Sequence, residues 1–214
     1  MRKSFPKIYP ILDSSFIPAS GRSEFLDRLG RSLADAGVTL LEYRNKGAVR
    51  AALLPDAEIL RRAMPAGQVR LILDDRADLV EQAGFDGVHV DAGDVSPAEA
   101  RRLVGPDLIV GTFGGSDTLV TGILEQPADY FSIGPVFNTT TKQTDRPPIG
   151  VEGVRRIRER AGLTPVLVAA AGITLETVPA VLQAGASTVA IAAALFSAPD
   201  PALEFQRWLS VTGG

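Results

Sequence analysis

The sequence predicts an α/β fold, a single (β/α)8 TIM barrel over residues 1–214, on three observations. Short apolar, β-branched runs recur eight times with amphipathic segments between them. Each run is near-continuous rather than alternating, the pattern of strands covered on both faces in a parallel sheet. Glycine closes helical segments just before the next run, at Ala36-Gly37, Ala83-Gly84 and Ala184-Gly185. Eight units in 214 residues allow about 27 residues each, compact but inside the lower range of such barrels. A doubly wound open sheet would carry Gly-x-Gly-x-x-Gly after its first strand, and that fingerprint is missing. No Pro/Gly-rich linker or composition break divides the chain, so one domain is expected.

The first strand is expected over 8–12, followed by a helix over 23–36 with Phe25, Leu29 and Leu33 at i, i+4, i+8 and Leu26 beside them. A second strand, 39–43, leads into Arg44-Asn45-Lys46-Gly47. The third, 70–73, leads into Asp74-Asp75-Arg76, and the fourth, 87–90, into a loop ending at Asp94. Ser96-Pro97-Ala98-Glu99 reads as a capping box with proline at the first helical position. The fifth strand, 108–110, is followed by Gly111-Thr112-Phe113-Gly114-Gly115, and the sixth, 130–133, by Gly134-Pro135-Val136-Phe137-Asn138-Thr139-Thr140-Thr141-Lys142. The run from Arg155 to Arg160 alternates with glutamate and reads as the solvated face of a helix before the seventh strand, 166–169. Thr174 to Thr177 precede a helix ending near Gly185, and the eighth strand is 188–191.

Composition narrows the function. Net charge is −3, from 22 basic and 25 acidic residues, and no basic footprint stands out, so no nucleic-acid partner is expected. The chain has no cysteine, which excludes disulfides, thiolate nucleophiles and cysteine metal sites. The apolar run at 8–12 is too short for a signal-peptide core, and none elsewhere approaches the ~18 residues of a membrane span. A cytoplasmic protein without a membrane partner is the expectation, and a homo-oligomer is left open.

In a barrel the active site forms at the C-terminal strand ends. The loop from Thr139 to Lys142 offers hydroxyls, backbone N–H groups and an ammonium, which suits an anion. Arg44 and Lys46 point to the same side of an extended chain, as for a polyanionic substrate. The adjacent carboxylates Asp74 and Asp75 repel and call for a nearby cation. They either open a helix or converge with the loop ending at Asp94 on one hard ion, and oxygen ligands without cysteine favour Mg2+. His89 is the only histidine, so a two-histidine metal site is impossible; a structural role is its simplest reading. Small residues at Ala169 to Gly172 and at Ile191 to Ala194 either pack helices tightly or let backbone N–H groups approach a ligand, and the loops after strands seven and eight are the usual phosphate site of such barrels. Two anion sites result. Arg44, Lys46, Lys142 and a carboxylate-held metal suit a pyrophosphate. Thr139, Thr141, Gly172 and the strand-eight backbone suit a monophosphate. Small phosphorylated substrates and group transfer follow.

These motifs, in this order, resemble the thiamine-phosphate synthase family: Leu41 to Gly47, Leu73-Asp74-Asp75, Asp86-Gly87-Val88-His89 with Asp94, Gly134-Pro135-Val136-Phe137 through Lys142, and Ala171-Gly172-Ile173. The resemblance implies a transferase with a (β/α)8 barrel that joins a hydroxymethylpyrimidine pyrophosphate to a thiazole phosphate, with Mg2+. It implies metal ligands at Asp75 and Asp94, pyrophosphate contacts at Arg44, Lys46 and Lys142, and thiazole-phosphate contacts at Thr139, Thr141 and Gly172, with Ile191 and Ala192 acting through their backbone. It also implies a dissociative mechanism in which pyrophosphate leaves first and the thiazole nitrogen captures a pyrimidine cation, with no general base.

The chain departs from the family pattern at the pyrimidine. Glu42 stands where the family usually has glutamine, Asp74 where it has asparagine, Ala92 where it has glutamine, and Phe113 falls in the fifth-strand stretch that is usually Gly-x-Ser. Glu42 can accept a hydrogen bond from the pyrimidine amino group, and Phe113 can stack on a ring. Two alternatives remain open: a thiazole tautomerase-like isomerase of the same fold, which uses a histidine after the fifth strand, and a non-catalytic barrel binding thiazole phosphate or thiamine phosphate. The 138–149 loop, with Pro147-Pro148, has the length and position of a lid.

Overall fold

The computed structural model of the chain describes residues 4–91, 93–115, 120–139 and 147–213. Eight parallel strands close a barrel in sequence order: β1 Ile8–Asp13, β2 Leu40–Arg44, β3 Arg70–Asp74, β4 Gly87–Val90, β5 Ile109–Gly115, β6 Tyr130–Ile133, β7 Val166–Ala170 and β8 Thr188–Ile191, with β8 pairing back to β1. Helices α1 Arg22–Asp35, α2 Arg50–Ala63, α3 Val80–Ala83, α4 Pro97–Val104, α5 Val120–Ile123, α6 Gly150–Ala161, α7 Val178–Gln183, α8 Ala193–Phe196 and α9 Pro201–Thr212 connect and surround them. The three helix-stop glycines have positive φ: Gly37 at 97°, Gly84 at 64° and Gly185 at 110°.

Alternation along the strands separates two buried layers. Leu41 and Tyr43, Leu71 and Leu73, Val88 and Val90 face outward into the core shared with the helices. The other parity fills the barrel with Tyr9, Leu40, Ile72, Ile109, Tyr130, Val168 and Ala190, one from every strand except β4. At that position β4 has Gly87, where an added Cβ would come within 2.6 Å of the Ile109 Cβ. Following the inward parity toward the C-terminal ends gives Ile11 and Asp13 on β1, Glu42 and Arg44 on β2, Asp74 on β3, His89 on β4, and Phe113 on β5.

The opposite, N-terminal face is held by a repeated clamp. Arg61 on α2 donates to the Val69 carbonyl (2.7 Å) and to Asp86 Oδ2 (2.8 Å), which also accepts from the Leu71 N–H (2.7 Å). Arg101 on α4 donates to the Leu108 carbonyl and to Asp129 Oδ2 (both 2.6 Å), which accepts from the Val110 N–H (2.8 Å). Arg158 on α6 donates to the Gly185 carbonyl (2.7 Å) and Ser187 Oγ (2.9 Å), which accepts from the Leu167 N–H (3.2 Å). Each clamp satisfies backbone groups at the start of a strand pair that no ladder reaches.

Three local expectations are corrected. Arg158 is tied to carbonyls and lies partly buried, while Arg155, Arg156 and Arg160 stay on the solvated face. The Ser96 hydroxyl does accept from the Glu99 N–H (3.2 Å), but the Glu99 carboxylate turns to Arg102, so the box is a one-way cap. The fifth strand runs on to Gly115 through the glycines read as a loop. The reason lies on the neighbouring strand: a Cβ on Gly111 would come within 1.9 Å of the side chain of Tyr130, its register partner on β6, so glycine there serves packing within a strand.

Candidate functional site

At the C-terminal mouth, β2 ends one residue later than the sequence suggested, and Arg44 is its last residue. Arg44 forms an ion pair with Asp13, its register partner on β1, and its Nε lies 3.4 Å from Asp74 Oδ2 on β3. Lys46, two residues on, sits among four carboxylates: its Nζ is 2.5 Å from Asp75 Oδ1, 3.5 Å from Asp74 Oδ2, 3.9 Å from Asp91 Oδ2 and 4.0 Å from Asp94 Oδ2. Burial alone would lower the lysine's pKa, but Asp74, Asp75 and Asp94 outweigh it and raise it.

Asp75 is turned into this cluster by a left-handed backbone (φ 64°), held by its N–H to the His89 carbonyl at 2.8 Å. Such a conformation costs a non-glycine residue about 1–3 kcal/mol and is expected where the surrounding structure requires it. Burial first, then the neighbouring Asp94 carboxyl, raises the Asp75 pKa. Asp94 Oδ2 accepts from the Asp91 N–H (2.8 Å), which orients it. Asp74 Oδ2 is the buried side-chain oxygen that, among the described residues, has no hydrogen bond. Among those residues no group of three or more His, Cys, Asp or Glu side chains is arranged to hold a metal. Asp75 and Asp94 converge as a pair, which fits Mg2+, an ion that takes one or two carboxylates and fills its octahedron with water and phosphate oxygens.

Below the mouth lies a polar floor. The Tyr9 hydroxyl donates to Glu42 Oε2 (2.7 Å) and meets the Tyr130 hydroxyl (2.9 Å), which meets His89 Nδ1 (3.1 Å). His89 stacks on Tyr130 with ring centroids 5.6 Å apart and planes 15° apart. Burial chiefly pushes Glu42 up to about 7, with Asp74 and Asp91 adding to it and His89 opposing it. Asp74 rises to about 6, again through burial first. Burial would lower His89, but the Asp91 carboxylate, 3.8 Å from its Nε2, and the charges of Glu42 and Asp74 carry it up to about 8.

A cavity of about 400 Å³ opens beside Arg44, between β1 and the ends of β6 to β8. Thr139, Gly172, Ile191 and Ala192 all line it, with Ile11 and Ala190 beneath. The Ile191 side chain points into the outer core, so it meets the cavity through its backbone. The loops after β6 and β7 are pinned together: Val136 N–H donates to the Ala170 carbonyl (2.9 Å) and Phe137 N–H to Ala171 (3.1 Å). Ala171 and Gly172 turn at φ 76° and 69°, and a Cβ on Gly172 would come 2.8 Å from the Phe137 Cβ. Only glycine allows that approach, which brings Thr139 and the β7 loop to one cavity wall.

The structure therefore brings Arg44, Lys46, Asp74, Asp75 and Asp94 to one spot, Glu42 below them, and Thr139, Gly172, Ile191 and Ala192 to the adjoining cavity. Phe113 lies on inward-facing β5 and is partly exposed. Thr141 and Lys142, and with them most of the expected lid, lie outside the described residues, as does Ala92. Sequence reasoning missed Asp13, Tyr9 and Tyr130. Asp13 follows the first strand as Asp74 follows the third, so the strand-end rule applied to it equally. The tyrosines sit in runs read only as apolar, yet a buried phenol needs a hydroxyl partner, and that was the available signal.

A family model described as thiamine monophosphate synthase matches residues 8–195. The thiamine-phosphate synthase of Koribacter versatilis is 39% identical over 194 residues, 91% of this chain and 90% of that one. That of Agrobacterium fabrum is 36% identical over 179 residues, covering 82% and 81%. Thiamine phosphate pyrophosphorylase from Pyrococcus furiosus superposes with a TM-score of 0.82 at 26% identity, covering 97% and 95%. Orotidine 5'-phosphate decarboxylase from Pyrococcus horikoshii, at 16% identity and a TM-score of 0.67, shares the fold alone.

Proposed function

The chain belongs to the thiamine monophosphate synthase family and is a transferase that forms thiamine phosphate, and we propose how its own residues do so. The substrates are 4-amino-2-methyl-5-hydroxymethylpyrimidine pyrophosphate and 4-methyl-5-hydroxyethylthiazole phosphate, and pyrophosphate is released. The observation that supports this is the meeting of Arg44, Lys46 and the carboxylates Asp74, Asp75 and Asp94 at the rim of a cavity lined by Thr139, Gly172 and Ala192. Arg44 and Lys46 are already held by aspartates, so they can exchange those partners for pyrophosphate oxygens without moving far. Lys142 joins them from the loop after β6. Thr139, Thr141 and the backbone at Gly172, Ile191 and Ala192 hold the monophosphate, while Phe113 and Glu42 flank the pyrimidine. Asp75 and Asp94 hold Mg2+, which when bound supplies positive charge against that developing on the departing pyrophosphate. Arg44 at the end of β2 and Lys46 two residues beyond it do the same from fixed positions. We place this activity in one cytoplasmic domain spanning residues 1–214; among the described residues no helix is long and apolar enough to cross a membrane.

Purified protein with both substrates and Mg2+ is expected to yield thiamine phosphate and pyrophosphate. Retained thiazole-phosphate binding without product would leave a binding barrel. Full activity in Asp75→Ala/Asp94→Ala would refute the metal assignment. The isomerase alternative is disfavoured by the position of the only histidine, buried on β4.

A further inference from the structure

Four buried polar groups on four strands lie end to end across the barrel: His89 Nδ1, the Tyr130 hydroxyl, the Tyr9 hydroxyl and Glu42 Oε2, at steps of 3.1, 2.9 and 2.7 Å. They are 8%, 0%, 1% and 3% exposed, so water does not compete for these bonds. Each hydroxyl has a single proton to donate, so the direction of one bond sets the direction of the next. With Glu42 ionised, Tyr9 donates to it, Tyr130 donates to Tyr9, and His89 donates from Nδ1 to Tyr130. With a proton on Glu42 Oε2, all three bonds reverse and Tyr130 donates to Nδ1. Neither state leaves one of these bonds unmade. Passage between them shifts three protons along existing bonds, moves no heavy atom, and transfers one net positive charge from His89 to Glu42.

We propose that His89, Tyr130, Tyr9 and Glu42 act as one proton-sharing chain that keeps a negative charge on Glu42 while positive charge builds on the pyrimidine. This rests on the reading above, in which the pyrimidine lies against Glu42. When the carbon–oxygen bond to pyrophosphate breaks, the bonding pair leaves with the oxygen and the ring system becomes cationic. Charge spreads onto the exocyclic amino group, whose N–H meets the carboxylate. The cation is consumed when the thiazole nitrogen donates its pair, and Glu42 ends as it began. A buried carboxylate would ordinarily be neutralised by burial, and the Asp74 and Asp91 charges push the same way. Tyr9 from β1 and His89 from β4 oppose them, with Tyr130 from β6 linking the two and Arg44 contributing from the same strand as Glu42. Asp91, 3.8 Å from His89 Nε2, steadies the imidazolium that stores the proton. The direction of the shifts agrees: Glu42 up to about 7 and His89 up to about 8 leave a window in which the first is ionised and the second charged. Glu42 is thus a catalytic residue in this reading, and Tyr9, Tyr130 and His89 are positioning residues.

The test uses the fact that the chain has one histidine, so a single imidazole resonance reports the chain. Its NMR titration is expected to move to lower pH by a unit or more in Glu42→Gln. In the activity assay, wild-type kcat is expected to fall about tenfold per pH unit below about 7, and Glu42→Gln to flatten that limb. Tyr9→Phe removes a donor to the ionised carboxylate and is expected to move the limb to higher pH, with the change in kcat rather than in KM for the pyrimidine substrate. An unchanged histidine titration in Glu42→Gln, or an unchanged acid limb in either variant, would overturn the proposal. If no protein forms thiamine phosphate, the proposed function fails, and the histidine titration alone then decides the chain.

Discussion

Replacing Gly111 by alanine tests the packing on which the polar floor depends. Gly111 is not among the positive-φ glycines, so alanine can adopt its backbone, and the cost is steric. The new methyl would land on Cζ, Cε1 and the hydroxyl of Tyr130. That ring cannot yield easily. It is fully buried, stacked on His89, and met edge-on by Tyr9 at 5.7 Å and Phe5 at 5.4 Å between centroids. Overpacking a tight core costs about 1–3 kcal/mol. Displacing the hydroxyl breaks its bonds to Tyr9 and His89, each worth about 1 kcal/mol and more where a partner is left unpaired. The sum is about 3–5 kcal/mol, or roughly 6–20 °C in Tm for a chain of this size. Urea denaturation followed by circular dichroism measures it. In a Tyr130→Ala background the methyl enters vacated space, so its cost is expected to drop below about 1 kcal/mol, a coupling that a double-mutant cycle resolves. A cost under about 1 kcal/mol in the wild type, or an equal cost in both backgrounds, would refute the reasoning.

Stability is expected to fall as pH rises from about 5 to 8. Glu42 and His89 both have folded pKa values above their unfolded ones, so each contributes stability present below the unfolded value and lost as pH passes the folded value, about 7 and about 8. The Glu42 part is on the order of 3 kcal/mol; denaturation across this range in Glu42→Gln is expected to show a shallower decline, with Asp74 and His89 supplying the remainder, and an identical decline would count against the burial argument. Asp86→Ala removes the carboxylate that accepts from both Arg61 Nη1 and the Leu71 N–H and is expected to cost about 2–3 kcal/mol while thiamine phosphate formation persists, since the clamp lies on the face opposite the site; a change under about 0.5 kcal/mol by denaturation would show the clamp to be slack. Lys46→Ala is expected to lower kcat by about 100-fold through loss of a cation aimed at the leaving group, and an effect on KM alone would instead mark Lys46 as a ground-state contact.

Much of the barrel was legible in the sequence because parallel strands buried on both faces must be apolar throughout, and the glycines that end helices must accept positive φ. The charged members of the site were legible for a related reason: Arg44, Lys46, Asp74, Asp75 and Asp94 follow apolar runs, where a core has no use for them. The start of strand β5 was legible but its run on to Gly115 was not, since Gly111 looks like a loop signal until the Tyr130 ring is seen to occupy the space of its missing side chain. Asp13 and the two tyrosines were overlooked because their roles depend on partners 31 residues away for Asp13 and Arg44, and 121 for Tyr9 and Tyr130. The arginine clamps escaped notice for the same reason, as Arg158 shares a charged run with arginines that remain in solvent.

By itself, then, the sequence determined the alternation of strands and helices, the absence of cysteine chemistry, and the family to which its strand-end motifs belong. These follow from periodicity and residue type, which are local. Tertiary structure decided which carboxylates surround Lys46, which hydroxyls reach Glu42, and that Thr139 and Gly172 share one wall. Those outcomes depend on barrel closure and register, which bring residues distant in the chain within hydrogen-bond reach and change what a buried charge costs.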